Sequence, residues 1–172
     1  PHYKGQILAA AASFIVVCGG ISSYFVPAKY MSVDINPSVM MTINIYNRVI
    51  NTKPLNDDAE ILLSKTDVSG MSVSESMDEL IKKSEEIGYL NEHNKDVIVE
   101  VVDGIGKIKL PDKNYGDVEV IIENADKADL KNAKEMGVSI AKARAIAEYT
   151  KQNGGSIEEN VHKLENQSVK EI

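Results

Sequence analysis

The chain has 172 residues, with 26 acidic and 19 basic side chains and a net charge of −7. That length suffices for one domain with a sizeable core, and the acidic excess argues against nucleic acid and against adsorption to anionic lipid. The single cysteine, Cys18, rules out a disulfide framework and leaves no thiol pair for metal or redox work.

Ile7 to Val26 is a run of twenty residues without a charge, and at about 1.5 Å rise a helix of that length covers about 30 Å, enough to span a bilayer. The predicted organisation is therefore an anchor over residues 1–28, with its transmembrane span at about 7–26, and one domain over residues 29–172. A secretory signal peptide is the rival reading, with Val26 and Ala28 suited to a cleavage site, but signal-peptide apolar cores usually run only about 7–15 residues. Cys18 sits inside the span as a small apolar filler. Gly19 and Ser23 have the spacing that lets two spans approach closely. His2 and Lys4 before the span and Lys29 after it leave the positive-inside comparison nearly tied. All 26 acidic and 18 of the basic residues follow the span, so the domain carries −8. Pro1 at one end and "SVKEI" at the other read as cuts from a longer protein.

From Tyr30 the pattern has period two: Val33 and Ile35 alternate with Ser32, Asp34 and Asn36, and Val39, Met41, Ile43 and Ile45 alternate with Met40, Thr42 and Asn44. Two half-buried strands result. Matching their apolar faces sets Ile35 opposite Met41 and Val33 opposite Ile43. That register pairs Asp34 with Thr42, Asn36 with Met40 and Ser32 with Asn44, and leaves Pro37 to Val39 as a three-residue loop. Tyr46-Asn47 turns the chain into a third strand, Arg48 to Lys53, with Asn47 able to take the left-handed conformation of a tight turn.

"NDDAEILLSK" reads as a short helix capped by Asn56 or Asp57. In "SVSESMDELIKKSEEIG", Ser72 and Glu75 have capping-box spacing, Met77, Leu80, Ile81 and Ile87 trace an apolar stripe, and Gly88 suits the stop. Asp96 to Val102 and Asp117 to Glu123 are strands rich in Val and Ile. Beyond Asp126 the period becomes helical, over Ala128 to Met136, Ser139 to Gln152 and Ser156 to about Asn166. The fold class is α+β: a mixed or antiparallel sheet led by a β-hairpin and packed by helices, in the manner of an α/β/α sandwich, behind a single transmembrane helix.

His93 and His162 lack companions at metal-ligand spacing, and Gly104-x-Gly106 lacks the third glycine and the helix of a phosphate cradle. Neither a metal nor a cofactor is expected. Ser38 has no histidine-bearing motif nearby to activate it. The carboxylates of the helical stretches read as solvated faces and caps.

Asn36-Pro37 is different in its chemistry, although the bland reading of such a dipeptide is a turn. An Asn followed by another residue usually decays when the next backbone nitrogen attacks its side chain, but proline has no N–H and cannot do this. The open route is attack by the Asn36 side-chain nitrogen on its own main-chain carbonyl, which closes a succinimide and expels Pro37 as a secondary amine. A fold must position the amide and stabilise the oxyanion for that to be fast. In the expected register, Asp34 lies on the same face as Asn36 and opposite Thr42, where it accepts a hydrogen bond from the attacking amide or acts as base. The candidate site is Asn36, Pro37, Asp34 and Thr42.

A span followed at once by "YMSVDINPSVMMTINIYNRVINTKPLNDDAE", then "GMSVSESMDELI" and "AKEMGVSIAKARAI", resembles the RsgI-type anti-sigma-I factors of clostridia over essentially the whole chain. The resemblance implies a cytoplasmic domain that binds and silences an alternative sigma factor, one membrane-spanning helix, and a juxtamembrane domain preceding an extracellular polysaccharide-sensing module. This chain would be the span and the juxtamembrane domain, single-pass, with Pro1 to Lys4 in the cytoplasm and Lys29 to Ile172 outside. The resemblance also implies self-cleavage between Asn36 and Pro37, with both fragments staying associated; pulling on the extracellular side would strip the strand Tyr30 to Asn36 and leave a short membrane stub for an intramembrane protease. That makes a signalling device rather than a turnover enzyme. Family members often carry an acid at the position of Met40, so this chain is expected to cut slowly, or by Asp34 alone. The competing class is an anchored structural or interaction domain in which Asn36-Pro37 is only a turn.

Overall fold

The computed structural model of the chain describes residues 19–108, 110, 114–165 and 167–172. Residues 7–18 of the expected span therefore lie outside the described residues, as does Cys18. Residues 19–24 are helical, and among the described residues no helix is long and apolar enough to cross a membrane. The end of this helix is tied to the domain: the Asn44 side-chain amide donates to the Tyr24 carbonyl (2.8 Å), and the Tyr24 and Tyr46 rings stack at 6.4 Å.

The period-two runs form β1 (Lys29–Asp34), β2 (Ser38–Ile43) and β3 (Val49–Pro54). The Val-rich segments form β4 (Asp96–Val102) and β5 (Glu119–Asn124). One five-stranded sheet results, in the order β3-β2-β1-β4-β5, antiparallel except for the parallel β4–β5 pair. β1 is thus the middle strand, with a full ladder on each side. The fifth strand runs later than expected, starting at Glu119 and forming an exposed edge.

The expected register of the first hairpin is wrong. Val33 lies opposite Val39, Asp34 opposite Ser38, Ser32 opposite Met40 and Tyr30 opposite Thr42. Relative to the expectation, β2 has slipped by four residues. Alternation fixes only which face each side chain takes, and an even slip preserves every face. The turn decides the register instead. The chain reverses over Ile35-Asn36-Pro37, because Asn36 takes φ 58, a left-handed conformation that Asn tolerates better than most residues.

The helices divide between the two faces. α1 (Asp57–Lys65) and α2 (Val73–Glu86) bring Leu62, Met77 and Leu80 onto Met31, Val33, Met41, Val97 and Val99. α3 (Lys127–Met136), α4 (Ile140–Asn153) and α5 (Ile157–Leu164) cover the other face, packing Leu130, Ala133, Ile140, Ile146 and Leu164 around Met40 and Val102. This is the α/β/α layering expected from the sequence. Asn56 caps α1 by accepting from the Ala59 N–H, and Ser72 with Glu75 closes a reciprocal capping box on α2. Gly104-x-Gly106 is a turn, and Gly104 is needed there: a Cβ at this position would lie 1.8 Å from the Ala28 carbonyl oxygen at the entry to β1.

Candidate functional site at the first hairpin

The Asn36-Pro37 turn is held from both sides. Ile35 donates its N–H to the Pro37 carbonyl (2.8 Å). Proline has no N–H to return that bond, and the Ile35 carbonyl instead accepts from the Asn94 side-chain amide (2.9 Å). On the downstream side, Asn56 Oδ1 accepts from the Ser38 N–H at 3.1 Å as well as from Ala59 at 3.0 Å. The cap of α1 therefore also pins the start of β2. Pro37 is buried and Asn36 half-buried, and among the described residues the Asn36 side-chain amide makes no hydrogen bond.

The strand before the turn delivers its acid to the same place. Asp34, Asn36, Asn94 and Asp96 line a pocket of about 50 Å³ together with Val169 and Lys170. Lys170 pairs with Asp96 across it. Asp34 is 6 % exposed and points to the face covered by α3 to α5. Ser38 Oγ donates to Asp34 Oδ1. Burial pushes the Asp34 carboxyl above the ordinary carboxylate range, opposed by the hydroxyls of Ser139 and Ser38 and by the Lys142 charge. A carboxyl with its proton affinity raised beside a free side-chain amide has the chemistry of a general base.

A second acid shares this face. Glu100 of β4 is fully buried, accepts from Ser32 Oγ at 2.6 Å, and is pushed up to about 7 chiefly by burial and further by the Asp34 charge. Lys142 of α4, 2 % exposed, donates from Nζ to the Glu165 carbonyl at 2.7 Å.

Of the residues expected at the site, Asn36, Pro37 and Asp34 come together. Thr42 does not. It lies opposite Tyr30 and lines a separate groove with Tyr30, Met40 and Phe25. Met40, expected opposite Asn36, faces Ser32 instead, so the geometric ground for expecting slow cutting from Met40 falls away. Glu100, Ser139, Lys142 and Asn94 were not legible as site residues. Glu100 carried a weak signal, as the one acid among the apolar residues of "VIVEVV", where a side chain on either face of a central strand is buried. His93 and His162 are at the surface.

Comparison with known proteins gives these observations a family. The family model described as the anti-sigma factor RsgI-like central domain matches residues 28–148, from the entry to β1 through most of α4. Anti-sigma-I factor RsgI7 of Acetivibrio thermocellus is 27 % identical over 186 aligned positions, covering 97 % of this chain and 34 % of that protein. Anti-sigma-I factor RsgI5 of the same organism is 39 % identical over 70 positions, covering 41 % of this chain and 15 % of its own length. Anti-sigma-I factor RsgI6 is 30 % identical over 100 positions, covering 54 % and 13 %. The chain spans about a third or less of each of these relatives. With the family model covering well over half of its residues, the chain belongs to the RsgI-like central-domain family of anti-sigma factors.

Proposed function

We propose that this chain is the membrane-anchoring and juxtamembrane part of an anti-sigma factor, and that it cuts itself between Asn36 and Pro37. One observation carries the reading: a left-handed Asn with an unbonded side-chain amide precedes a buried proline and lines a pocket with a buried carboxyl. Asn36 Nδ2 attacks the Asn36 carbonyl carbon, the new C–N bond closes the ring, and the bond to the Pro37 nitrogen breaks. Nδ2 gives up one proton and the Pro37 nitrogen gains one. Water later opens the succinimide.

The sheet topology supports retention of the cut piece. The upstream fragment ends in β1, which pairs with β2 on one side and β4 on the other, and its Met31 and Val33 are buried. The joint is noncovalent yet cooperative. In this reading the run from Ile7 to Val26 crosses the membrane, with Pro1 to Lys4 in the cytoplasm and residues 29–172 outside. An extracellular polysaccharide-sensing module would supply the signal. Removal of β1 would leave a short stub for an intramembrane protease and release an alternative sigma factor held by a cytoplasmic domain.

A plain turn has one observation in its favour, since Asn47 takes φ 56 without any chemistry assigned to it. Mass spectrometry of denatured protein separates the two readings. Self-cleavage gives one piece ending at Asn36 and one beginning at Pro37, and a single full-length chain for Asn36→Ala. An intact wild-type chain after prolonged incubation leaves only the turn, and a cut surviving in Asn36→Ala removes the succinimide route.

A further inference from the structure

Resting on that cleavage reading, we propose that Asp34 and Glu100 hold one proton between them at neutral pH, and that Glu100 is a positioning residue for the cut, acting through Asp34. The geometry begins with the ladder. Asp34 lies opposite Ile98 and Glu100 opposite Ser32, so the two acids project from the same face of β1 and β4 at diagonal positions, within interaction range. Both are buried, and among the described residues Glu100 Oε1 has no hydrogen-bond partner, while Asp34, whose Oδ2 has none within bonding geometry, is met by the hydroxyls of Ser38 and Ser139 alone. Two buried carboxyls at neighbouring sites are costly unless a proton is shared between them or held by one of them.

The surrounding charges give the same count. From α4, Lys142 faces Asp34 and is the buried cation of the cluster. It can balance one carboxylate. Arg144, on the same helix, acts on Glu100 but is already bonded to Asp129 of α3 (2.6 Å) and to Glu123 of β5 (3.1 Å). Ser139 at the start of α4, Ser38 of β2 and Ser32 of β1 contribute hydroxyls and no charge. Glu165 and Glu171 at the chain end act on Lys142 rather than on the acids. Two buried carboxyls against one buried cation leave one proton to be retained, and burial raises the proton affinity of both acids.

This arrangement answers a requirement of the reaction. Ring closure needs a base for the Nδ2 proton and an acid for the departing Pro37 nitrogen; an ionised Asp34 can take the proton and return it, and a neutral Glu100 beside it leaves the protonated Asp34 the better acid for that return. With Glu100 holding one proton, the ionised Asp34 accepts from Nδ2 and then gives a proton to the Pro37 nitrogen, while Glu100 acts only on the charge of Asp34. The pair ends with the proton it began with. A doubly protonated pair lacks the base, and in a doubly ionised pair the Glu100 charge holds the transferred proton on Asp34, so the cutting rate passes through a maximum with pH.

The test translates the chain without cells, holds it in urea, and dilutes it into detergent buffers from about pH 5 to 9, following the first-order cut on denaturing gels. Wild type is expected to show a rise and a fall. Glu100→Gln, which stays neutral, should lose the falling limb. Carbon NMR of the carboxyl groups in uncut Asn36→Ala gives a second measurement, in which Asp34 and Glu100 should titrate as a coupled pair in two separated steps. A Glu100→Gln profile superimposed on wild type, or independent titration of both acids in the ordinary range, overturns the shared proton and leaves self-cleavage standing. If wild type does not cut but the NMR shows coupling, the shared proton stands while both self-cleavage and the role of Glu100 in it fall.

Discussion

Asn36 and Asn47 occupy the two tight turns of the same three-stranded meander and share a backbone conformation, at φ 58 and φ 56. Both are half-buried. Their side chains are used differently. Asn47 Oδ1 accepts from Lys29 Nζ at 2.6 Å, and the Arg48 N–H that follows is bonded to Asn44 Oδ1 at 3.0 Å. The oxygen of its amide is held by structure, and the neighbouring backbone nitrogen is tied down. The Asn36 amide has no such bond among the described residues, its successor has no N–H, and buried acids lie behind it. A left-handed Asn is therefore only a turn. Under the proposed self-cleavage, the difference lies in the secondary-amine leaving group and the buried carboxyl beside the turn.

A transplanted dipeptide tests the need for the carboxyl. Arg48→Pro would place a second Asn-Pro bond in a left-handed turn, and denatured Arg48→Pro protein should still cut only at Asn36. A new fragment beginning at residue 48 would mean that the dipeptide and its backbone suffice without a carboxyl. Next comes retention of the cut strand. Met31 is fully buried in β1, and Met31→Ala should cost about 2–5 kcal/mol. In gel filtration under mild detergent the variant should shed its upstream piece, and undiminished co-elution would count against retention by packing.

Below the Asn36 turn lies a carboxyl that burial pushes toward neutrality. The Glu100 carboxyl is raised from 4.5 to about 7 in the folded protein. The folded state thus binds the extra proton, and stability present at pH 4.5 and below is lost as pH rises toward 7, by about 3 kcal/mol in all. Urea unfolding of Asn36→Ala should show this fall, and Glu100→Gln in that background should flatten it. Equal slopes in both would place the titration elsewhere. The smallest effect concerns the clamp. Asn94→Ala removes the donor to the Ile35 carbonyl, costing about 1 kcal/mol, and should slow cutting at Asn36 without moving it. An unchanged rate would show that the turn holds its shape without Asn94.

What could be read along the chain was what neighbours in sequence decide. The turn at Asn36-Pro37, the αL turn at Asn47, the caps at Asn56 and Ser72, and the alternation of β1 and β2 all depend on residues within a few positions of one another. The layered α+β class followed from the order of the periodic segments. The hairpin register was beyond that reach, because alternation is indifferent to an even slip and the turn geometry alone chose Val33 opposite Val39. The central place of β1 was equally hidden, since it depends on β4 returning from about seventy residues away to form its second ladder. That return brings Glu100 beside Asp34, and α4 then lowers Lys142 and Ser139 onto them. Local periodicity marks these positions as polar surface. Only the packing of two helical layers on the sheet excludes the water that would otherwise have kept each of those charges ordinary.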